Sequence, residues 1–198
     1  MNYRSLSIPA SAENFKTRAA EDGKLYIEGY FAVFNSPYWL DYEGGSYETV
    51  APTAFDETIA DDIRALVNHD TTLVLGRTTV GTLRLTIDNR GLYGVIEVNP
   101  NDSDAVNLYE RVKRGDVSQC SFGFEILEYE IDFDEGSDTV HRTILKVKLY
   151  EVSVVTFPAY TETGVVARGS DPAFVAEVKL AAWRDKQRAK LHKERKCD

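Results

Sequence analysis

Two strand-type runs joined by a short acidic segment constrain this chain more than any other feature. The first run is Ser118-Gln-Cys-Ser-Phe-Gly-Phe-Glu-Ile-Leu127, and the second is Leu149-Tyr-Glu-Val-Ser-Val-Val-Thr-Phe-Pro-Ala-Tyr160. Between them lies Asp132-Phe-Asp-Glu-Gly-Ser-Asp-Thr-Val140, whose Gly and acidic residues suit a turn. An antiparallel hairpin from Ser118 to Pro158 is therefore predicted, and the other elements must be placed around it.

Parity along the hairpin separates its side chains. Cys120, Phe122, Phe124 and Ile126 share one face, and Ser121, Gly123 and Glu125 share the other. The thiol is grouped with bulky apolar neighbours and reads as core. The hydroxyl is grouped with a Gly, which leaves room for a second backbone or a substrate. Folding the hairpin about Gly136 predicts Ser121 opposite Glu151, Cys120 opposite Val152, and Ser118 opposite Val154. Toward the tip the apolar parity changes, to Leu127, Tyr129, Ile131 and to Leu145, Val147, Leu149, which calls for a bulge or for burial on both faces.

The remaining chain reads as mainly β. A strand over residues 24–35 is apolar on both faces, so it is either doubly buried or bent at Gly29. Residues 1–23 are polar and aperiodic and read as a loosely ordered arm, with an edge strand near 3–8 left open. Short strands are predicted at 47–50, at 64–70 with His69 at its end, and at 73–75, and a hairpin at 80–98 turning on Asn89-Arg-Gly91. Pro52 and the acids after it suggest a short helix over residues 52–59. Asn101-Asp-Ser103 supplies cap residues for a helix ending before Gly115. A short strand at 164–167 and a basic helix over 171–196 complete the reading. The predicted class is α+β, mainly β: a closed or barrel-like, mostly antiparallel sheet flanked by two or three helices. The predicted organisation is an arm at 1–23, one domain at 24–168, and a basic helical tail at 169–198.

Composition narrows the function classes. A hydrophobic share of 43% with 11 Tyr and 9 Phe supports a real core. The net charge of −9 argues against a general nucleic-acid binder. That charge is uneven: residues 179–198 carry a net of +5, leaving the body strongly acidic. A basic tail on an acidic body suits self-docking or an acidic partner, and it equally suits a solvated helix face. Two cysteines, Cys120 and Cys197, form neither a disulfide framework nor a zinc pattern, which favours a reducing compartment. No apolar run reaches the roughly 18 residues that cross a bilayer, and the N-terminus lacks an apolar secretion core. No partner in the membrane and no cofactor or metal is predicted, since no phosphate loop or metal-ligand spacing is present.

The same residues suggest nucleophilic catalysis. Ser121 is a weak nucleophile at neutral pH and needs a base within hydrogen-bond reach. A carboxylate on the base's other nitrogen fixes the tautomer and stabilises the imidazolium, and Glu151 is placed for that. Three histidines compete for the middle position. His192 lies in the basic tail, and His141 is ten strand residues from Glu151, about 33 Å along an extended chain. His69, at the end of a strand, remains. Bland readings stay open for each: a buried satisfied histidine, a Glu151 paired with Arg77 or Arg84, and a small strand serine.

The ordered motifs resemble a known family, the prohead (capsid-maturation) serine proteases of tailed bacteriophages, related in fold to the herpesvirus assemblins. The residues that carry the resemblance are Glu28-Gly-Tyr-Phe-Ala-Val-Phe-Asn35, Pro52-Thr-Ala-Phe55, Asn68-His-Asp70 with Leu75-Gly76, Gly91-Leu92, Ser121-Phe-Gly-Phe124 and Glu151-Val-Ser-Val-Val-Thr-Phe-Pro-Ala-Tyr160. The resemblance implies Ser121 as nucleophile, His69 as general base and acid, and Glu151 as the third member, where the assemblins have a second histidine. It implies a serine endopeptidase inside the procapsid, in the host cytoplasm. The implied substrates are scaffolding protein or the scaffold-like arm of the major capsid protein, and the protease itself. The portal and a homodimer or higher oligomer are further candidate partners. The competing readings are a non-catalytic scaffold-binding module of the same fold and an unrelated hydrolase of small esters.

Overall fold

The computed structural model describes residues 4–7, 15–21, 23–39, 46–134, 139–157, 180, 181, 183 and 184. Its strands are β1 (Arg4–Ser7), β2 (Phe15–Ala19), β3 (Leu25–Val33), β4 (Tyr38–Trp39), β5 (Tyr47–Val50), β6 (Arg64–Val67), β7 (Asp70–Arg77), β8 (Leu83–Ile87), β9 (Gly91–Val98), β10 (Gln119–Asp134) and β11 (Thr139–Val155). One complete helix, α1 (Ser103–Arg114), stands among the described residues, with a single 3-10 turn at Thr78–Val80. The predicted strand at 164–167 and most of the predicted tail helix lie outside the described residues.

The long hairpin forms, and β11 organises one sheet. Its 17 residues pair antiparallel with β10 along one edge. Along the other edge it takes two parallel partners in succession, β5 at His141–Ile144 and β6 at Glu151–Val154. A second sheet runs β2-β3-β9-β8. The fold is thus mainly β and mostly antiparallel, but it is two open sheets and not the closed or barrel-like sheet that the strand spacing suggested. The long strand is the reason: two short partners share its edge and β7 branches from β6, so the sheet forks instead of closing.

The gap between β5 and β6 also explains why the helix predicted over residues 52–59 does not form. Residues 52–60 form successive turns, with Ala54 N–H donating to Ala51 O and Thr58 N–H to Phe55 O. Their acceptors are spent on β11: Val147 N–H donates to Ala54 O at 3.0 Å, and Leu149 N–H to Thr58 Oγ1 at 2.9 Å. A regular helix would withdraw the Ala54 carbonyl and leave buried strand amides without partners. The tertiary demand overrides the local helix signal. Phe55, carried by these turns, meets Phe122 edge-on at 5.5 Å and so props the strand that holds Ser121.

The elements with strong local signals form as read. Asp102 caps α1 by accepting from the Asp104 and Ala105 amides, and Gly115 ends it at φ 89°. Ala105, Leu108, Tyr109 and Val112 are buried on one side of it. β3 is buried on both faces, with a bulge between Tyr30 and Ala32, one residue past Gly29. One buried cluster joins both sheets and α1, including Ile27, Phe31, Leu92, Leu108, Phe122, Ile144 and Val152.

At Gly91 the backbones approach so closely that a Cβ would sit 1.9 Å from the Ala32 carbonyl oxygen. Gly91→Ala will therefore destabilise the fold by about 3 kcal/mol, near the top of the usual range for overpacking. A lowered urea midpoint with an unchanged m-value will show it.

Candidate active site

β6 leads straight into the site. Its last residue, Val67, pairs with Asp70 of β7, so Asn68 and His69 form a two-residue hairpin loop. Both have positive φ, 50° and 60°, as a type I′ turn requires. Asn tolerates that conformation well. His does so less readily, and such strain persists only where its surroundings hold it. Here Asn68 N–H donates to Val154 O at 3.0 Å, Asn68 Oδ1 accepts from the Thr156 amide at 2.8 Å, and His69 N–H donates to Ser153 Oγ at 3.2 Å. All three anchors lie at the end of β11. Asp70 opens β7 and is satisfied within it, where its Oδ1 accepts from Thr72 N–H and Oγ1–H, and these bonds hold its carboxyl below the usual carboxylate range.

The imidazole meets a carboxylate. His69 Nδ1 lies 2.7 Å from Glu151 Oε1, with the histidine side chain 25% exposed and the glutamate 6%. An ionised carboxylate only accepts, so Nδ1 carries the proton and Nε2 is left as the accepting nitrogen. The second carboxylate oxygen, Oε2, accepts from Ser153 Oγ at 2.5 Å. Glu151 therefore holds His69, and of the two arginines open as its partner in the sequence, Arg77 is engaged elsewhere. Arg77 grips Asp62 with two bonds of 2.6 Å, and this pairing lowers the Asp62 carboxyl to about 2.

Ser121 lies on β10, fully buried. The register differs from the one obtained by folding about Gly136. Ser121 stands opposite Ser153, and Gly123 opposite Glu151, a slip of two residues. Cys120 is opposite Val154 instead of Val152. One residue of the slip is already present near the tip, where Asp134 pairs with Thr139, and the shift between Gly123 and Phe124 adds the second; the two shifts flanking Glu128 cancel in register and lie where the apolar parity changes. Because the slip is even, side-chain parity is preserved. Ser121, Gly123, Glu151 and Ser153 remain on one face, and Ser121 and Glu151 become diagonal neighbours, with Cα atoms roughly 7–8 Å apart in such a pairing.

The neighbouring thiol is core. Cys120 is 2% exposed, its Sγ donates to Tyr30 O, and burial pushes it far above the ordinary thiol range. His141 is also elsewhere: its Nε2 is 2.8 Å from Thr49 Oγ1, and its ring stacks on Tyr47. His192 lies outside the described residues. The sequence reading missed Ser153 and the turn role of Asn68. The signal for Ser153 was present, since it shares the parity of Glu151 two residues on. An Asn ending a strand was the corresponding signal for a left-handed turn.

A histidine whose Nδ1 proton is committed to a buried carboxylate, on the sheet face that carries a buried serine, is a base of the kind used in serine hydrolysis. Comparisons with known proteins bear on the family of the chain. Residues 13–174 match the caudovirus prohead serine protease family. The prohead protease of Enterobacteria phage HK97 is 30% identical over 154 residues, covering 75% of this chain. The chain spans 63% of that relative's length. The solved structure of the bacteriophage T4 capsid assembly protease, gp21, aligns over 80% of this chain and all of its own, at 12% identity and a TM-score of 0.44. With most of its length matched by the family pattern, the chain belongs to the caudovirus prohead serine proteases.

Proposed function

We propose that the protein is a serine endopeptidase of phage head maturation, which cleaves scaffolding protein, or a scaffold-like arm of the major capsid protein, inside the procapsid. The observation that carries this reading is the 2.7 Å bond from His69 Nδ1 to Glu151 Oε1 on the face that bears Ser121. Ser121 Oγ attacks the scissile carbonyl as His69 Nε2 takes its proton. The imidazolium then gives that proton to the leaving amine, and water repeats the sequence to release the acyl group. Glu151 keeps the tautomer and stabilises the charge on the ring.

Ser121 has no exposed surface, and β1 pairs along its strand with Ser7 opposite Ser121. Access of a peptide therefore requires that the structure over Ser121 shift, and β1, a four-residue edge strand paired beside it, is the element whose displacement we test. Co-expression with the cognate capsid and scaffold proteins tests the function. Gels will show shortened products with the wild type and none with Ser121→Ala. Uncleaved proteins in both cases would remove the endopeptidase reading and favour a scaffold-binding module of the same fold.

A further inference from the structure

We propose that Ser153 is a positioning residue that sets both the base and its carboxylate, an inference that rests on the Ser121, His69 and Glu151 reading above. Its hydroxyl has one proton to give and lone pairs to accept with. It gives the proton to Glu151 Oε2 at 2.5 Å and accepts from the His69 amide at 3.2 Å. Ser153 is fully buried and stands directly across from Ser121 in the β10–β11 pairing.

The physical need for such a group is specific. The last torsion of a Glu side chain is broad, so a bond at Oε1 alone leaves the carboxylate plane free to rotate. A donor on Oε2 fixes that plane, and with it the direction from which Nδ1–H is received. The backbone of His69 is in the left-handed region, at φ 60°, where a side chain with a Cβ is held only by its surroundings. The same hydroxyl anchors that backbone through its amide. One oxygen thus ties the main chain of the base to the side chain that orients its ring. A serine that merely filled the strand would satisfy itself on a neighbouring carbonyl, as buried hydroxyls commonly do.

The test uses the full chain and three readouts. Ser153→Ala will lower the rate of covalent labelling of Ser121 by a fluorophosphonate about 10- to 100-fold, the scale of a small misplacement in an active site. The low-field proton resonance of His69 Nδ1–H, assigned by its loss in His69→Ala, will shift or broaden in Ser153→Ala. Thermal melting checks that the variant is folded. Ser153→Thr, which keeps the hydroxyl, will recover most of the labelling rate. If the Thr variant does not fold, the resonance in Ser153→Ala decides alone. Wild-type labelling with an unmoved resonance in a folded Ser153→Ala protein would overturn the proposal. A wild-type protein that never labels, yet whose resonance moves in Ser153→Ala, would overturn the hydrolase reading and leave the positioning role supported.

Discussion

His69→Ala will abolish peptide cleavage, with a loss in kcat on the order of 10⁶-fold, the scale seen when one member of a triad that acts as a unit is removed. The expectation follows from the geometry of one ring. Glu151 Oε1 accepts a hydrogen bond from His69 Nδ1–H at 2.7 Å, so in the proposed mechanism Nε2 is the atom that receives the Ser121 proton. No other described histidine can substitute. His141 sits ten residues along β11 and is engaged by Thr49 and Tyr47. Its ring cannot reach the end of the strand where Glu151 and Ser153 lie. Circular dichroism and melting of the variant will match the wild type, because His69 is a quarter-exposed turn residue and not part of the buried cluster. Residual cleavage within about tenfold of the wild type would remove His69 as the base.

Glu151→Gln is the second large effect, and it separates orientation from packing. Gln has nearly the same shape, so the strand is preserved. Its amide, however, can present N–H to Nδ1, which moves the ring proton to Nε2 and leaves no acceptor for Ser121. The expected loss is roughly 10⁴-fold in kcat, as for the corresponding acid-to-amide change in serine protease triads. Steady-state kinetics on a fixed peptide will place the loss in kcat with little change in KM, since the carboxylate contacts the base and not the substrate. A protein that fails to fold as Glu151→Gln would mark the glutamate as structural. So would one with wild-type kcat.

The hairpin shows which parts of this arrangement were legible in the sequence. Parity alone assigned Cys120 to the core and Ser121 to the opposite face, and burial of the thiol against Tyr30 agrees. Parity survives an even slip in register. The partner of each residue does not: pairing one residue off near the tip, Asp134 with Thr139, and the bulge at Gly123–Phe124 together moved Ser121 from Glu151 to Ser153. Such bulges leave little trace in the sequence beyond the change of apolar parity toward the tip. The helix read at 52–59 failed for a different reason. Its local residues favour a helix, but Val147 and Leu149 claim its acceptors across 90 or so residues of chain. Closure of the sheet failed likewise, because a forked edge on β11 is a property of strand lengths and partners, and no single segment encodes it.

His69 was reached by elimination, without the feature that best explains it. Asn68 and His69 form a two-residue turn with positive φ, and the turn projects the imidazole back over the end of β11. Asn at the first turn position is a known preference, but His at the second is not, and the sequence therefore read as a strand running on. The three bonds that hold the turn come from Ser153, Val154 and Thr156. They make the Glu151-to-Thr156 stretch a support for His69 as well as the source of the carboxylate that meets its ring.

If Ser121 is the nucleophile, a reagent that traps activated serines must end up on its hydroxyl, and the site of the covalent adduct tests this. The protein is treated with a fluorophosphonate, digested, and mapped by mass spectrometry, both as the full chain and without residues 1–12, which include β1. The expected adduct is on Ser121, formed faster when β1 is removed and absent in His69→Ala. An adduct on any other serine, or none on folded protein with or without β1, would contradict Ser121 as the nucleophile.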